Sequence, residues 1–258
     1  MDKSFVQYIE KPKLNDPIFI EGLPGIGNVG RASAGYLVTE LKAKKFAELY
    51  SPQFLPVVTL QKNGVATLLK AEFYYCKGKE NDIIILVGDS QSVSLQGYYD
   101  LCNAIMSVVD EFGVKQIITL GGLGVESIKG EPRIIGAVND DKLLSKFKKY
   151  DIIFDGSLVG TIVGASGLLI GMAGTKSIDG ICLMAETPGF PLVITDPMAA
   201  DSMLKMLSQI LDVKIDFTKL ENEIKELEER IKKTEELHKK MIGVMTPEEK
   251  KDDTRYIG

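Results

Sequence analysis

The chain has 258 residues, enough for one large domain or two small ones, with 45% hydrophobic and 26% charged residues. A formal net charge of −5 argues against nucleic acid as the main partner, because phosphate binding needs a basic surface. No window reaches about eighteen uninterrupted apolar residues, so no membrane span is expected, and the mixed, partly charged stretch from Met1 to Lys13 does not read as a signal peptide.

Short apolar runs alternate with amphipathic ones along the first two hundred or so residues. Pro17-Ile18-Phe19-Ile20 reads as a strand that leads into a glycine-rich turn, Gly22 to Gly30. Val29 to Leu41 reads as a helix and Phe46 to Tyr50 as a second strand. Val57 to Leu60, then Asn63-Gly64, then Val65 to Lys70 reads as a β-hairpin, since Asn-Gly supplies the positive φ angles of a tight turn. Ala71 to Cys76 adds another strand. The run Asp82 to Val87, "DIIILV", has the length and continuous apolarity of a strand buried on both faces, and Gln116 to Leu120, "QIITL", repeats the pattern. Leu95 to Phe112 is helical, with Gly113 where a helix stop is expected. Arg133 to Val138 and Ile152 to Phe154 read as strands flanking a helix at Asp140 to Lys148. Leu158 to Ala173 reads as a buried turn followed by a glycine-rich helix from Gly164. Ile181 to Met184 is a further buried strand, and Pro197 to Leu211 is a helix with Pro at its start. This alternation predicts an α/β sandwich over residues 1–215, with a mostly parallel mixed sheet to which the hairpin near Asn63 adds an antiparallel portion, and helices on both faces.

Composition changes near residue 216. From Asp216 to Gly258 there are 12 acidic and 10 basic residues in 43 positions. Apolar residues recur at Phe217, Leu220, Ile224, Leu227 and Ile231 in steps of three and four, the a and d positions of a heptad. Glu221–Lys225, Glu228–Lys232 and Glu235–Lys239 are Glu-before-Lys pairs that each support a helix by about 0.2–0.5 kcal/mol. Residues 216–258 therefore read as a charged amphipathic, coiled-coil-like helix and a flexible tail. Its narrow seam either lies on the chain's own core or pairs with another subunit or a partner. The final Tyr256-Ile257-Gly258 could dock in a pocket, the ring filling apolar volume while a terminal carboxylate pairs with a cation.

The chemistry-bearing residues are sparse. Gly25-x-Gly27-x-x-Gly30 has the glycine spacing of a dinucleotide-binding turn, but Gly22-Leu23-Pro24 separates it from the strand, and Glu21 would repel a phosphate. One reading is a nucleotide or nucleoside crevice formed by Gly25, Gly27, Asn28 and Glu186; the other is that the glycines allow close helix–strand approach. Gly88-Asp89-Ser90 imitates a nucleophile turn, yet the only histidine is His238, in the charged helix, so a Ser–His pair inside the domain is not expected. The acids at strand ends, Glu21, Asp89, Glu126, Asp140, Asp141 and Glu186, read as helix caps and solvated loop residues. Cys76, Cys102 and Cys182 are isolated, give no metal-ligand spacing, and read as core residues of a protein from a reducing cytoplasm. No cofactor, catalytic group or metal site is expected.

Three segments jointly carry a resemblance: "FIEGLPGIGNVGRASAGYLVTELKAKKFAELYSPQF", "GYYDLCNAIMSVVDEFGVKQIITLGG" and "GASGLLIGMAGTKSIDGICLMAETPGFPLVITDPMAADSMLKML". They resemble an archaeal member of the proteasome assembly chaperone family named for its second chaperone subunit. The resemblance implies a three-layer α/β/α sandwich similar to nucleoside phosphorylases, without a recognised active site. It also implies a homo-oligomeric scaffold or assembly role, with proteasome α subunits as candidate partner. Family members of this role can end in hydrophobic-Tyr-any. Here Tyr256 stands third from the end and follows Arg255.

Overall fold

The structure, a computed structural model of the chain, describes residues 1–128, 130–188 and 195–217. In chain order the strands are β1 (Phe5–Tyr8), β2 (Ile18–Gly22), β3 (Lys44–Tyr50), β4 (Val58–Leu60), β5 (Ala66–Leu68), β6 (Ala71–Cys76), β7 (Ile83–Gly88), β8 (Gln116–Gly124), β9 (Ile134–Val138), β10 (Ile152–Ile153) and β11 (Asp179–Thr187). The helices are α1 (Val29–Glu40), α2 (Leu95–Glu111), α3 (Lys142–Phe147), α4 (Gly156–Val159), α5 (Ala165–Thr175) and α6 (Pro197–Ile210).

Nine strands form one sheet in the order β1-β3-β6-β7-β2-β8-β11-β9-β10. The continuous apolar runs account for its centre. In β7, Ile83 and Ile85 face one side while Ile84 and Leu86 face the other, so both faces must be covered. Ile20, Ile118, Leu120, Ile181 and Leu183 join the first side and pack against Val29, Leu37, Met203, Leu204 and Leu207 of α1 and α6. Phe19 and Ile117 join the second, beneath Leu101, Ile105 and Val109 of α2 and Leu169 of α5. Each such side chain taken fully out of water contributes about 1.5–3 kcal/mol, and two helical layers are the way to bury both sides of one sheet.

The expected mostly parallel sheet is corrected. Only β7-β2-β8-β11 and the short β9-β10 pair run parallel, giving four parallel pairings. The other four, β1-β3, β3-β6, β6-β7 and β11-β9, are antiparallel. The antiparallel wing comes from β1, β3 and β6 and not from the hairpin, because β4 and β5 pair only with each other in a separate two-stranded sheet. β1 is a strand outside the expected set, although Phe5, Val6 and Tyr8 are β-forming residues. Its alternating exposure fits an edge strand held by the β3 ladder and by Phe5 stacked on Tyr50.

The turn before α5 is only partly buried: Leu158 and Val163 are exposed, Val159 and Ile162 pack half-buried against Ile135, Ile170, Cys182 and Met184, and α5 enters the core through Ala165, Leu169 and Ala173. At the other end, the chain leaving α6 is strapped to α1. Tyr36 Oη donates to the Asp216 carbonyl, the Asp216 amide donates to Glu40 Oε2 at 3.1 Å, and Phe217 packs half-buried against the α1/α6 side.

Candidate functional site

In an open α/β sheet, ligands bind beyond the carboxyl ends of the parallel strands. Here those ends are Gly22 of β2, Gly88 of β7, Gly124 of β8 and Thr187 of β11. Leu23-Pro24-Gly25 follows β2, then one 3-10 turn, Ile26–Asn28, and then α1.

The glycines of this turn are spaces filled by the protein's own atoms. A Cβ on Gly22 would lie 2.3 Å from Ala34 Cβ, and one on Gly30 would lie 2.4 Å from the Leu120 carbonyl oxygen. At Gly27, φ is +60° and a Cβ would meet Thr187 Oγ1 at 2.6 Å, while one on Gly122 would meet the Ile26 carbonyl oxygen at 2.2 Å. Helix α1 therefore sits backbone-close on β2 and β8, and the turn sits on the end of β11. Asn28, at φ +50°, gives its side-chain amide to Thr195 Oγ1 at 3.1 Å, and the Asp196 amide donates to the Gly27 carbonyl at 2.9 Å. Gly25 has room around it; its nearest neighbour is the Gln91 side chain. Gln91 bridges three segments. Its amide nitrogen donates to the Pro24 carbonyl, and its oxygen accepts from the Ala165 amide at 3.2 Å at the start of α5.

Gly25, Gly27 and Asn28 thus share one turn, but Glu186 does not face them. Thr187 points to the α1 side, and the alternation of β11 turns Glu186 to the opposite side. There its carboxylate is held in a two-pronged pair by Arg133, Nε to Oε2 at 2.9 Å, with the Arg133 amide donating as well at 3.2 Å. The guanidinium beside it, against the effect of burial, holds the Glu186 carboxyl below the usual range.

Glu21 departs furthest from expectation. It is fully buried within β2 and is neither a cap nor a loop residue. One carboxyl oxygen accepts from the Leu23 amide at 3.0 Å and the other from Ser166 Oγ at 3.0 Å. Burial pushes its pKa up to about 7, against the pull of hydrogen bonds from Ser166 and from the backbones of Leu23 and Leu120. Ser166 stands in the first turn of α5, where the helix N-terminus favours negative charge. Thr119, paired with Glu21 across the ladder, donates to the Ser166 carbonyl at 3.1 Å, so the group forms a closed polar knot between sheet and helix.

The remaining candidates give little chemistry. Asp89 pairs with Arg31 at 3.2 Å, and Ser90 Oγ donates to the Gln91 carbonyl at 2.8 Å. Among the described residues no cluster of His, Cys, Asp and Glu could hold a metal ion, and no helix is long and apolar enough to cross a membrane. Of the predicted contact residues, Phe217 lies on the domain as described above. Leu220, Ile224, Leu227, Ile231, Tyr256, Ile257 and Gly258 lie outside the described residues, as does His238.

The β4–β5 hairpin carries a surface feature of its own. Val58 pairs with Leu68 and Leu60 with Ala66, so these four share one face, while the Thr59–Thr67 pair takes the other with its hydroxyls 2.8 Å apart. The apolar face is exposed. The signal was available: Val, Leu, Ala and Leu alternate with Thr on both arms of the Asn-Gly turn, and residues 55–69 carry a single charge, Lys62.

Two helical layers over a mixed sheet, with a tightly self-filled strand-end turn, define a class of α/β domain in which the glycine turn serves packing. A PAC2 family model matches residues 19–235, and the chain belongs to the PAC2 family. It is 41% identical to Pyrococcus furiosus PbaB, described as an archaeal proteasome activator, with a TM-score of 0.82 over 91% of this chain and 100% of that one. Pyrococcus furiosus PbaA, described as an archaeal homolog of proteasome-assembly chaperone, is 25% identical with a TM-score of 0.72 over 92% of this chain and 99% of that one. An uncharacterized protein of Methanocaldococcus jannaschii is 39% identical over 95% of this chain and 93% of its own length.

Proposed function

We propose that this chain is a non-catalytic, homo-oligomeric scaffold that serves proteasome assembly or activation in a reducing cytoplasm. The α/β body acts as platform, and the helix and tail of residues 216–258 make subunit or partner contacts, with proteasome α subunits as the partner. The observation that carries this reading is the likeness to PbaB along nearly the whole of both chains. The strand-end turn agrees with it: Gly22, Gly27, Gly30 and Gly122 abut protein atoms, Glu186 is occupied by Arg133, and Glu21 is enclosed by Ser166 and Leu23. A nucleotide or nucleoside site at Gly25, Gly27, Asn28 and Glu186 is not favoured, because those residues do not converge on one space.

The test is binding of the full chain to isolated α-subunit rings, followed by mass, beside two variants. Tyr256→Ala is expected to weaken ring binding about tenfold or more, the loss of one aromatic anchor. Leu227→Lys with Ile231→Lys places charges on the heptad seam and is expected to lower the oligomer's mass. Failure of the unmodified chain to bind the rings would overturn the proteasome assignment. An unchanged mass in the seam variant would remove the C-terminal helix from assembly.

A further inference from the structure

We propose that Asn63, at the tip of the β4–β5 hairpin, is a self-modification site. Its side-chain amide is converted to a carboxylate through attack by the Gly64 backbone nitrogen, with no enzyme and no co-reactant but water. The inference is independent of the proteasome reading and adds to it a chemical change built into the body of the domain.

Of the chain's asparagines, Asn63 alone precedes a glycine. A glycine has no Cβ to shield its amide nitrogen or to restrict the backbone angles that bring it toward the preceding side chain. Gly64 has φ +82°, and a Cβ placed on it would meet nothing within 4 Å. Gln61 to Val65 are all exposed, so water reaches both the attacked carbon and the leaving group. The Asn63 side chain is folded forward along the chain: its Oδ1 accepts from the Val65 amide at 3.2 Å. That contact spans the Gly64 nitrogen, keeps Cγ on the same side of the loop, and draws electron density off the carbonyl that is attacked. Among the described residues no hydrogen bond holds Nδ2, the leaving group. One bond opposes the reaction: the Gly64 amide donates to the Gln61 carbonyl at 2.9 Å and must open before its nitrogen can lose a proton. That opening is local, because β4 and β5 pair only with each other, and a two-stranded hairpin is marginal in water.

The other described asparagines lack these conditions. Asn28 is buried, gives its amide to Thr195 Oγ1 and is followed by β-branched Val29. Asn139 is held at both ends of its amide by Ile170, Ile178 and Gly180. Asn15 and Asn81 give theirs to the Glu80 and Asp16 carbonyls, and Asn103 lies within α2, whose helical ladder holds the next amide. At Asn63 the step balances without an oxidant or reductant. The Gly64 nitrogen bonds to Asn63 Cγ and gives up its proton, the Cγ–Nδ2 bond breaks, and the departing group leaves as ammonia. A cyclic imide remains. Water opens it at Cγ to give aspartate, or at the main-chain carbonyl to give isoaspartate, whose chain runs through the former side chain. Either product puts a negative charge beside Lys62, the one charge in residues 55–69. The isoaspartyl product also lengthens the loop that the Gln61 amide closes onto the Val65 carbonyl at 2.9 Å. β4 and β5 then lose their register while the nine-stranded sheet is untouched.

The experiment is incubation of the full chain at mildly alkaline pH, then cleavage after glutamate under acid conditions, so that digestion itself causes no change, and mass spectrometry. Cleavage at Glu48 and Glu72 releases a fragment in which Asn63 is the sole asparagine. The expected result is that this fragment gains the amide-to-acid mass difference before any other and splits into two chromatographic forms of that mass. The gain should come faster as pH rises, because the attacking nitrogen must lose its proton. Gly64→Ala is expected to slow it about tenfold or more, since the methyl crowds the nitrogen and disfavours a positive φ. If that variant disturbs the turn, Asn63→Ser serves instead: Gln53 and Gln61 are then the only side-chain amides left in the fragment, and its mass must stay constant. A fragment that stays unchanged in the unmodified chain, or a mass gain that persists in Asn63→Ser, would overturn the proposal.

Discussion

The glycine turn after β2 and the β4–β5 hairpin are both tight loops at the same end of the sheet, yet they are opposite in what surrounds them. At the turn, a Cβ on Gly22, Gly27 or Gly30 would collide with Ala34, Thr187 or the Leu120 carbonyl, and Gly25 alone has room. At the hairpin, Gly64 has nothing near it at all, and the apolar face looks into solvent. One loop has spent its sequence on closing the domain and the other has not been closed. Glycine therefore marks close approach in the first case and a positive φ in the second, and neither use requires a ligand. In a domain whose strand ends are filled this way, the surfaces open to partners lie at the margins.

Substitutions can break or sharpen that contrast. The largest effect is expected from Gly30→Ala, whose new methyl must displace the Leu120 backbone; a loss of ~3 kcal/mol is expected in chemical denaturation. A mild loss would show that α1 can lift off the sheet, leaving room at the turn after all.

The second concerns Glu21, beside the turn. Its folded pKa of about 7 lies above the ordinary carboxyl value. The group is neutral in both states at low pH, and the folded state holds the proton longer as pH rises. Stability from this group is therefore full below the ordinary carboxyl range and is lost as pH climbs through about 7. At ~1.4 kcal/mol per pH unit the whole loss is on the order of 3 kcal/mol. Unfolding midpoints measured from pH 5 to 8, values chosen to span that window, should fall in the unmodified chain and stay nearly level in Glu21→Gln. Equal slopes for the two would mean that water reaches the knot.

The smallest effect belongs to the hairpin. Leu60→Ser removes an exposed side chain, and at low protein concentration stability should change by no more than ~0.5 kcal/mol. A larger loss under those conditions would mean that the hairpin is packed within one chain.

The central strands were legible because an apolar run such as "DIIILV" can hardly be anything but a strand covered twice, and the α6 boundary because Pro197 stands at a helix start. β1 was missed for the converse reason. Phe5-Val6-Gln7-Tyr8 is short and half-exposed, and its register comes from β3, some forty residues away. The sheet's mixed direction is also non-local: nothing inside β6 or β9 states which neighbour it will run against. Glu21 was misplaced because local reading ended its strand too early. The chain turns only after Gly22, and the lid over the carboxyl is Ser166, which arrives 145 residues later. The packing role of the glycines was one of two readings open in the sequence. Choosing between them took Thr187 and the Leu120 carbonyl, neither of them near the turn in sequence.

The three thiols give the molecule a practical property. Cys102 and Cys182 are sealed in the core with pKa values that burial pushes up to about 12, and half-buried Cys76 is raised to about 11. Since the thiolate is the reactive form, all three should be nearly silent toward alkylating dyes at neutral pH. The wild-type sequence can thus serve as its own background for spectroscopic labelling, and one cysteine placed at the hairpin tip, for instance Asn63→Cys, would report by itself on what surrounds that tip.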